Sequence, residues 1–201
     1  MNEKQQRMQQ KMREILQDDY LGLKVEAYTM REELEAGTCK IACELRRGKD
    51  KIVAEGEGVG MIDALFAAMK TWLAEDYPSL KSIDFSQFNV RGLLSNDERH
   101  MNIKAQAEAT VGITNSSGRE FIFTAQAPSI SHAGVLATVA GVEYFVNSER
   151  TFVRLQEILE HYRKEGRAEL VQKYTSLMSE VVENTSYSEV VERIRRQSLA
   201  L

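Results

Sequence analysis

Proline, cysteine and tryptophan are scarce: 2 Pro, 2 Cys and 1 Trp in 201 residues. So little proline excludes a proline-rich linker, and ordinary fractions of hydrophobic (43%) and charged (28%) residues exclude a disordered chain. No run approaches the roughly 20 apolar residues of a membrane span. The N-terminus, MNEKQQRMQQKMREILQDDY, lacks the apolar stretch and cleavage site of a secretory signal. A cytoplasmic protein with reduced thiols at Cys39 and Cys43 is therefore expected. Positive charge is not in excess, with 26 Lys and Arg against 30 Asp and Glu and a net charge of -4. Neither nucleic acid nor an anionic membrane is an expected partner. The three histidines, His100, His132 and His161, form no His-x-His, His-Glu-x-x-His or Ser/His/Asp arrangement, so no catalytic residue, metal or cofactor is expected.

What is present is periodic. Met8, Met12, Ile15 and Leu16 recur at helical spacing and predict an amphipathic helix from residue 3 to about 18, whose narrow stripe needs a partner surface. From Leu23 the period drops to two. Leu23, Val25 and Ala27 mark one strand, Cys39, Ile41, Cys43 and Leu45 a second, and Lys51 to Ala54 a third beyond a turn at Arg46 to Asp50. Ile62, Leu65, Phe66, Met69, Trp72 and Leu73 then give a helical face, closed by Pro78.

The same order returns. Ile83, Phe85 and Phe88 mark a strand, and residues from Ile103 to Ile113 alternate cleanly. A turn follows at Asn115 to Gly118, then a strand from Arg119 to Ala125 and a helix ending near Asn147. Superposing Ile62 on Ile130 also superposes Ile52 on Glu120, an offset of about 68 residues, and only the loop from Leu93 to His100 lengthens the second copy. The prediction is an α+β fold of two βββα units, residues 21–78 and 82–148, forming one domain over 21–148. An N-terminal helix (1–20) precedes it and C-terminal helices (149–201) follow. One of these carries the stripe Phe152, Leu155, Ile158, Leu159 and Tyr162. A second carries Leu170, Tyr174, Leu177, Met178, Val181 and Val182, and a short third begins after Ser186 at a capping box, Ser186-Tyr187-Ser188-Glu189.

Gly56-x-Gly58-x-Gly60 lies between a strand and a helix. It misses the dinucleotide fingerprint, because Met61 stands where the third glycine belongs, and no P-loop lysine accompanies it. A helix N-terminus at such a turn still offers amide N–H groups suited to a carboxylate; alternatively the glycines serve only the tight turn. The small residues Ala133, Gly134, Ala137, Ala140 and Gly141 leave one helix face nearly bare, for close packing of the matching helix or for a small apolar ligand.

The duplicated βββα order resembles the C-terminal allosteric domain of α-isopropylmalate synthase and citramalate synthase. The residues that carry it are Gly56-Glu57-Gly58-Val59-Gly60-Met61-Ile62-Asp63-Ala64 at the first strand–helix junction and Ala127-Pro128-Ser129-Ile130-Ser131 at the second. The resemblance implies a dimeric, non-catalytic module that binds leucine or isoleucine, or a related 2-oxo acid, between its units and regulates a separate catalytic subunit. The implied ligand contacts are Gly58, Gly60 and Asp63 from the first junction and Ala127, Pro128, Ser129, Ile130 and Ser131 from the second. Ile62, Phe85 and Ile130 are the implied apolar walls. The catalytic barrel of those synthases takes about 250 residues, more than this sequence could supply beside the duplicated unit. Val59 and Met61 stand where the family usually carries Asn and Pro. They favour an alternative, a dimerising structural or interaction protein that has kept the scaffold and lost the ligand.

Overall fold

The structure, a computed structural model, describes residues 3–93 and 106–182. Helix α1 (Glu3–Leu16) leads through a 3-10 turn (Gln17–Asp19) into strands β1 (Lys24–Glu33), β2 (Thr38–Arg47) and β3 (Asp50–Gly58), and then into helix α2 (Met61–Leu73). A second 3-10 turn (Pro78–Ser82) opens the repeat of β4 (Asp84–Leu93), β5 (Gln106–Thr114), β6 (Glu120–Ala127) and helix α3 (Ile130–Lys164); helix α4 (Ala168–Val182) follows. Each set of strands is an antiparallel sheet in chain order, β1-β2-β3 and β4-β5-β6, so the fold is α+β with two βββα units. No helix among the described residues is long and apolar enough to cross a membrane.

Alternation dictates which sheet face is covered. On β2, Cys39, Ile41, Cys43 and Leu45 are buried while Lys40 and Glu44 are exposed, and on β5 Ala107, Ala109, Val111 and Ile113 are buried. Burial pushes the Cys43 thiol up to about 11 and raises Cys39 as well, which keeps both protonated and inert, as the packing reading of that strand requires. Helix α2 lies on β3 and β2, and α3 lies on β5 and β6. The approach of α2 to β3 is close enough that a Cβ at Gly56 would fall 2.8 Å from Ala68 N and Cβ. The stripe of α1 finds its surface against α3, with Met8 and Met12 buried.

The repeat extends to irregular features. A bulge interrupts β1 between Val25 and Ala27, and another interrupts β4 between Phe85 and Gln87. The single offset expected from the sequence does not hold across the hairpin. Leu45 corresponds to Ile113, as that offset requires, but its partner Ile52 corresponds to Phe121 and not to Glu120, because the second hairpin turn is longer.

A larger correction concerns α3. The helix expected to end near Asn147 continues to Lys164, so the stripe of Phe152, Leu155 and Leu159 belongs to the same helix. The polar stretch that suggested an end is buried and bonded. The Asn147 amide accepts from Leu21 N–H at 2.7 Å and donates to Leu21 C=O at 2.9 Å; Glu149 accepts from Ser79 N–H at 3.0 Å; Thr151 donates back to Asn147 C=O. Gly166, at φ +70°, turns the chain into α4. The expected strand start at Ile103, the lengthened loop as far as His100, and the helix after Ser186 lie outside the described residues.

Under α3 sits an aromatic cluster of Phe121, Phe123, Tyr144 and Phe145, with Phe121 and Phe145 edge-to-face at 5.2 Å. The Tyr144 hydroxyl is buried there without a hydrogen-bond partner among the described residues. Removing an orphaned polar group relieves its desolvation cost, so Tyr144→Phe should stabilise by about 1 kcal/mol, read as a rise in Tm of a few degrees. A fall in Tm would mean that the hydroxyl has a partner.

Candidate functional site

The first junction is built by a glycine that no other residue can replace without movement. A Cβ at Gly58 would fall on Asp63 Oδ2 and lie 2.6 Å from Ala64 N, so the end of β3 runs directly against the first turn of α2. Gly60 is the N-cap of α2, extended at φ -151°, and has no side chain to cap the turn. Asp63 Oδ2 accepts from Val59 N–H at 3.0 Å, so the carboxylate folds back on its own turn. Val59 itself is 81% exposed.

The second junction is capped differently. Ser129 is the N-cap of α3, its Oγ accepting from His132 N–H at 3.1 Å. Ser131 Oγ, 3.4 Å from Ser129 Oγ, accepts at 2.9 Å from the hydroxyl of Tyr28, which lies on β1 of the other unit. Ala127 is buried at the end of β6, Pro128 and Ser129 are exposed, and Ile130 is 52% exposed.

The two junctions meet. A Cβ at Gly134, on the second turn of α3, would lie 2.8 Å from Ile62 Cδ1, 3.2 Å from Met61 Cε and 3.3 Å from Phe88 Cζ. The bare face of α3 is thus divided in use, with Gly134 set against the start of α2 and Gly141 against Ile113 and Phe123 of its own sheet. Of the residues singled out from sequence, Gly58, Gly60, Ile62 and Asp63 lie at the α2 end and Ala127 to Ser131 at the α3 end. Phe85 sits farther along α2, its ring 6.4 Å from that of Phe66.

Sequence reading missed Tyr28 and Phe88 as junction residues. The bulges relate them: Tyr28 pairs with Cys43 as Phe88 pairs with Val111, and Met30 pairs with Ile41 as Val90 pairs with Ala109. All four point to the helix-covered side of their sheets, yet Met30 and Val90 are 43% and 44% exposed. The signal for them was the repeat itself, followed one strand farther upstream than the junction motifs.

A model of one protein family, the LeuA allosteric (dimerisation) domain, matches residues 4–146. The chain belongs to this family. The match runs from α1 through the first half of α3 and takes in both junctions, while the rest of α3 and all of α4 lie beyond it. No curated protein matches the chain. Membership in the LeuA allosteric-domain family assigns a regulatory and dimerisation role to the scaffold.

Proposed function

We propose that the chain is a ligand-sensing regulatory domain that pairs with a second copy and binds a small branched-chain amino acid, or the related 2-oxo acid, where its two junctions meet. The observation that carries this reading is the meeting of the first turn of α2 with the second turn of α3 at Gly134, where the buried Ile62 lies beside the partly exposed Phe88 and Ile130 is exposed one turn away. In this reading the ligand carboxylate approaches the uncapped first turn of α2 at Gly60, since α3 is already capped by Ser129. Asp63 has one oxygen engaged by Val59 and offers the other to the ammonium. Ile62, Phe88 and Ile130 select an aliphatic side chain. The exposed stripes at Met30 and Val90 supply apolar surface for a second copy. Signalling to a separate catalytic subunit then requires only that the ligand bind one of two states more tightly.

The scaffold-only alternative has its own support, because Asp63 and Ser131 already have partners within the chain. Titration calorimetry and thermal melting with leucine, isoleucine, valine and their 2-oxo acids separate the two. Binding should raise Tm by several degrees at saturating ligand. Gly60→Val is the informative variant, since a Cβ there meets nothing within 4 Å and the backbone is extended. It should melt like the parent and lose the ligand response. Absence of heat and of any shift with every ligand overturns the sensing reading and leaves the scaffold. In light scattering the parent should be twice 22.8 kDa, and Met30→Lys with Val90→Lys should return it to the monomer.

A further inference from the structure

Two hollows flank α3 beyond Asn147, where the end of α1 meets it. One, of about 470 Å³, is walled by α3 and by Asp76 and Tyr77 of the link that follows α2, with Val153 on its floor. The other, of about 560 Å³, lies between α3 and α4, and Ile15, Ile158 and Leu177 line it. Leu16, Asp19 and Arg154 line both, so the two hollows form a single trench. Along α3 it runs from Glu149 to Ile158, about 14 Å at 1.5 Å per residue. Lys11 pairs with Glu180 at 2.5 Å and ties α4 to α1 beside it.

The free charge on the rim has one sign. Each cation that lines the trench is engaged within the chain: Arg150 pairs with Asp19 at 3.9 Å, Arg154 pairs with Glu157 at 2.9 Å, and Lys173 lies over the Tyr174 ring. Asp18 in one hollow and Asp76 in the other are exposed and have no ion-pair partner among the described residues. Gln17, at φ +49°, holds a left-handed conformation that no other non-glycine residue among those described adopts, and this turn brings Asp18 and Asp19 to the rim.

We propose that the trench is a docking surface for a basic amphipathic helix of another protein. Aliphatic side chains of that helix seat on Ile15, Val153, Ile158 and Leu177, and a lysine or arginine at each end meets Asp18 and Asp76. The length and the walls favour a helix. About 14 Å accepts two to three helical turns, but only about four residues of an extended strand. A strand would also bring unpaired backbone groups against helices whose own backbone is already bonded. The sign of the rim sets the partner's charge, and the same sign turns a nucleic acid away. The apolar floor supplies the affinity, while the exposed carboxylates fix orientation more than they add energy. This surface is separate from the junctions and stands whether or not they bind a ligand.

The probe is a fluorescein-labelled peptide of about 14 residues, leucine and lysine at helical spacing, titrated with the full chain by fluorescence anisotropy. Asp18→Lys combined with Asp76→Lys should raise its Kd at least tenfold. Glu35→Lys combined with Glu55→Lys, both exposed and outside the trench, changes the net charge equally and should alter the Kd less than twofold. A peptide with glutamate in place of lysine should not bind. Failure of the lysine peptide to bind, equal weakening by the two pairs, or undiminished binding to the Asp18 and Asp76 variant overturns the proposal. Light scattering on that variant tests a different occupant: a particle of half the parent's mass would put a second copy in the trench and would also overturn it.

Discussion

Asn147→Ala should lower the unfolding free energy by about 2 to 4 kcal/mol while leaving the secondary structure in place. The residue is fully buried, and its amide answers both backbone groups of Leu21, accepting from the N–H at 2.7 Å and donating to the C=O at 2.9 Å. The side chain acts as a one-residue strand, pairing the extended segment between α1 and β1 as a neighbouring strand would. Truncation leaves a buried donor and a buried acceptor unpaired, each at about 1 to 3 kcal/mol, and the lower half of the combined range allows for a water in the vacated space. Urea denaturation with an unchanged m-value is the measurement. A loss below about 1 kcal/mol for the alanine variant would show that Leu21 finds other partners.

One turn earlier on α3, Glu143 accepts from Leu23 N–H. Its surroundings make its charged form unfavourable. Burial pushes its carboxyl up to about 7 from an ordinary 4.5, with the Leu23 N–H and Arg13 of α1 opposing that rise; Tyr20 faces it from the same segment. Between pH 4.5 and 7 the folded state therefore holds more of this proton than the unfolded state, and stability falls as pH rises through that window. The difference corresponds to about 3 kcal/mol above pH 7. Glu143→Gln keeps an oxygen for Leu23 and carries no charge. Allowing for the lost strength of a charged acceptor, it should be about 2 kcal/mol more stable than the parent at pH 8. Near pH 4.5 the two should be equal, a difference curve that isolates this group from ion-paired carboxylates such as Glu26 and Glu108. A gain independent of pH would show that the carboxyl is not raised in the folded state, and a loss at pH 8 would show that the charge is stabilised by Arg13 after all.

These two residues also mark where sequence reading stopped. Strands and helices whose one face is buried were legible, because burial writes period two or 3.6 into the apolar positions. Asn147, Ser148, Glu149 and Thr151 read as a helix end because they interrupt the apolar stripe. Their burial depends on Leu21 and Ser79, far away in the chain, and no local pattern carries that. The far half of β1, from Thr29 to Glu33, was missed for the opposite reason: it is exposed throughout, so nothing alternates. At the candidate site the glycines were legible as a tight junction. The closeness that demands Gly58, and the hydroxyl of Tyr28 arriving at Ser131 from the other unit, belong to tertiary approach and leave no local trace.

The uninterrupted course of α3 has a mechanical consequence. At 1.5 Å per residue its 35 residues form a rod about 50 Å long. One end is seated between the two junctions, its middle is gripped by the segment at Leu21 and Leu23, and its far end carries α4. With the grip as fulcrum, tilting the seated end by about 5° swings the other end by roughly 2 Å, a distance obtained from half the rod's length. Motion at the junctions would then reach, without any chain of rearranging side chains, a helical pair that lies beyond the residues of the family match.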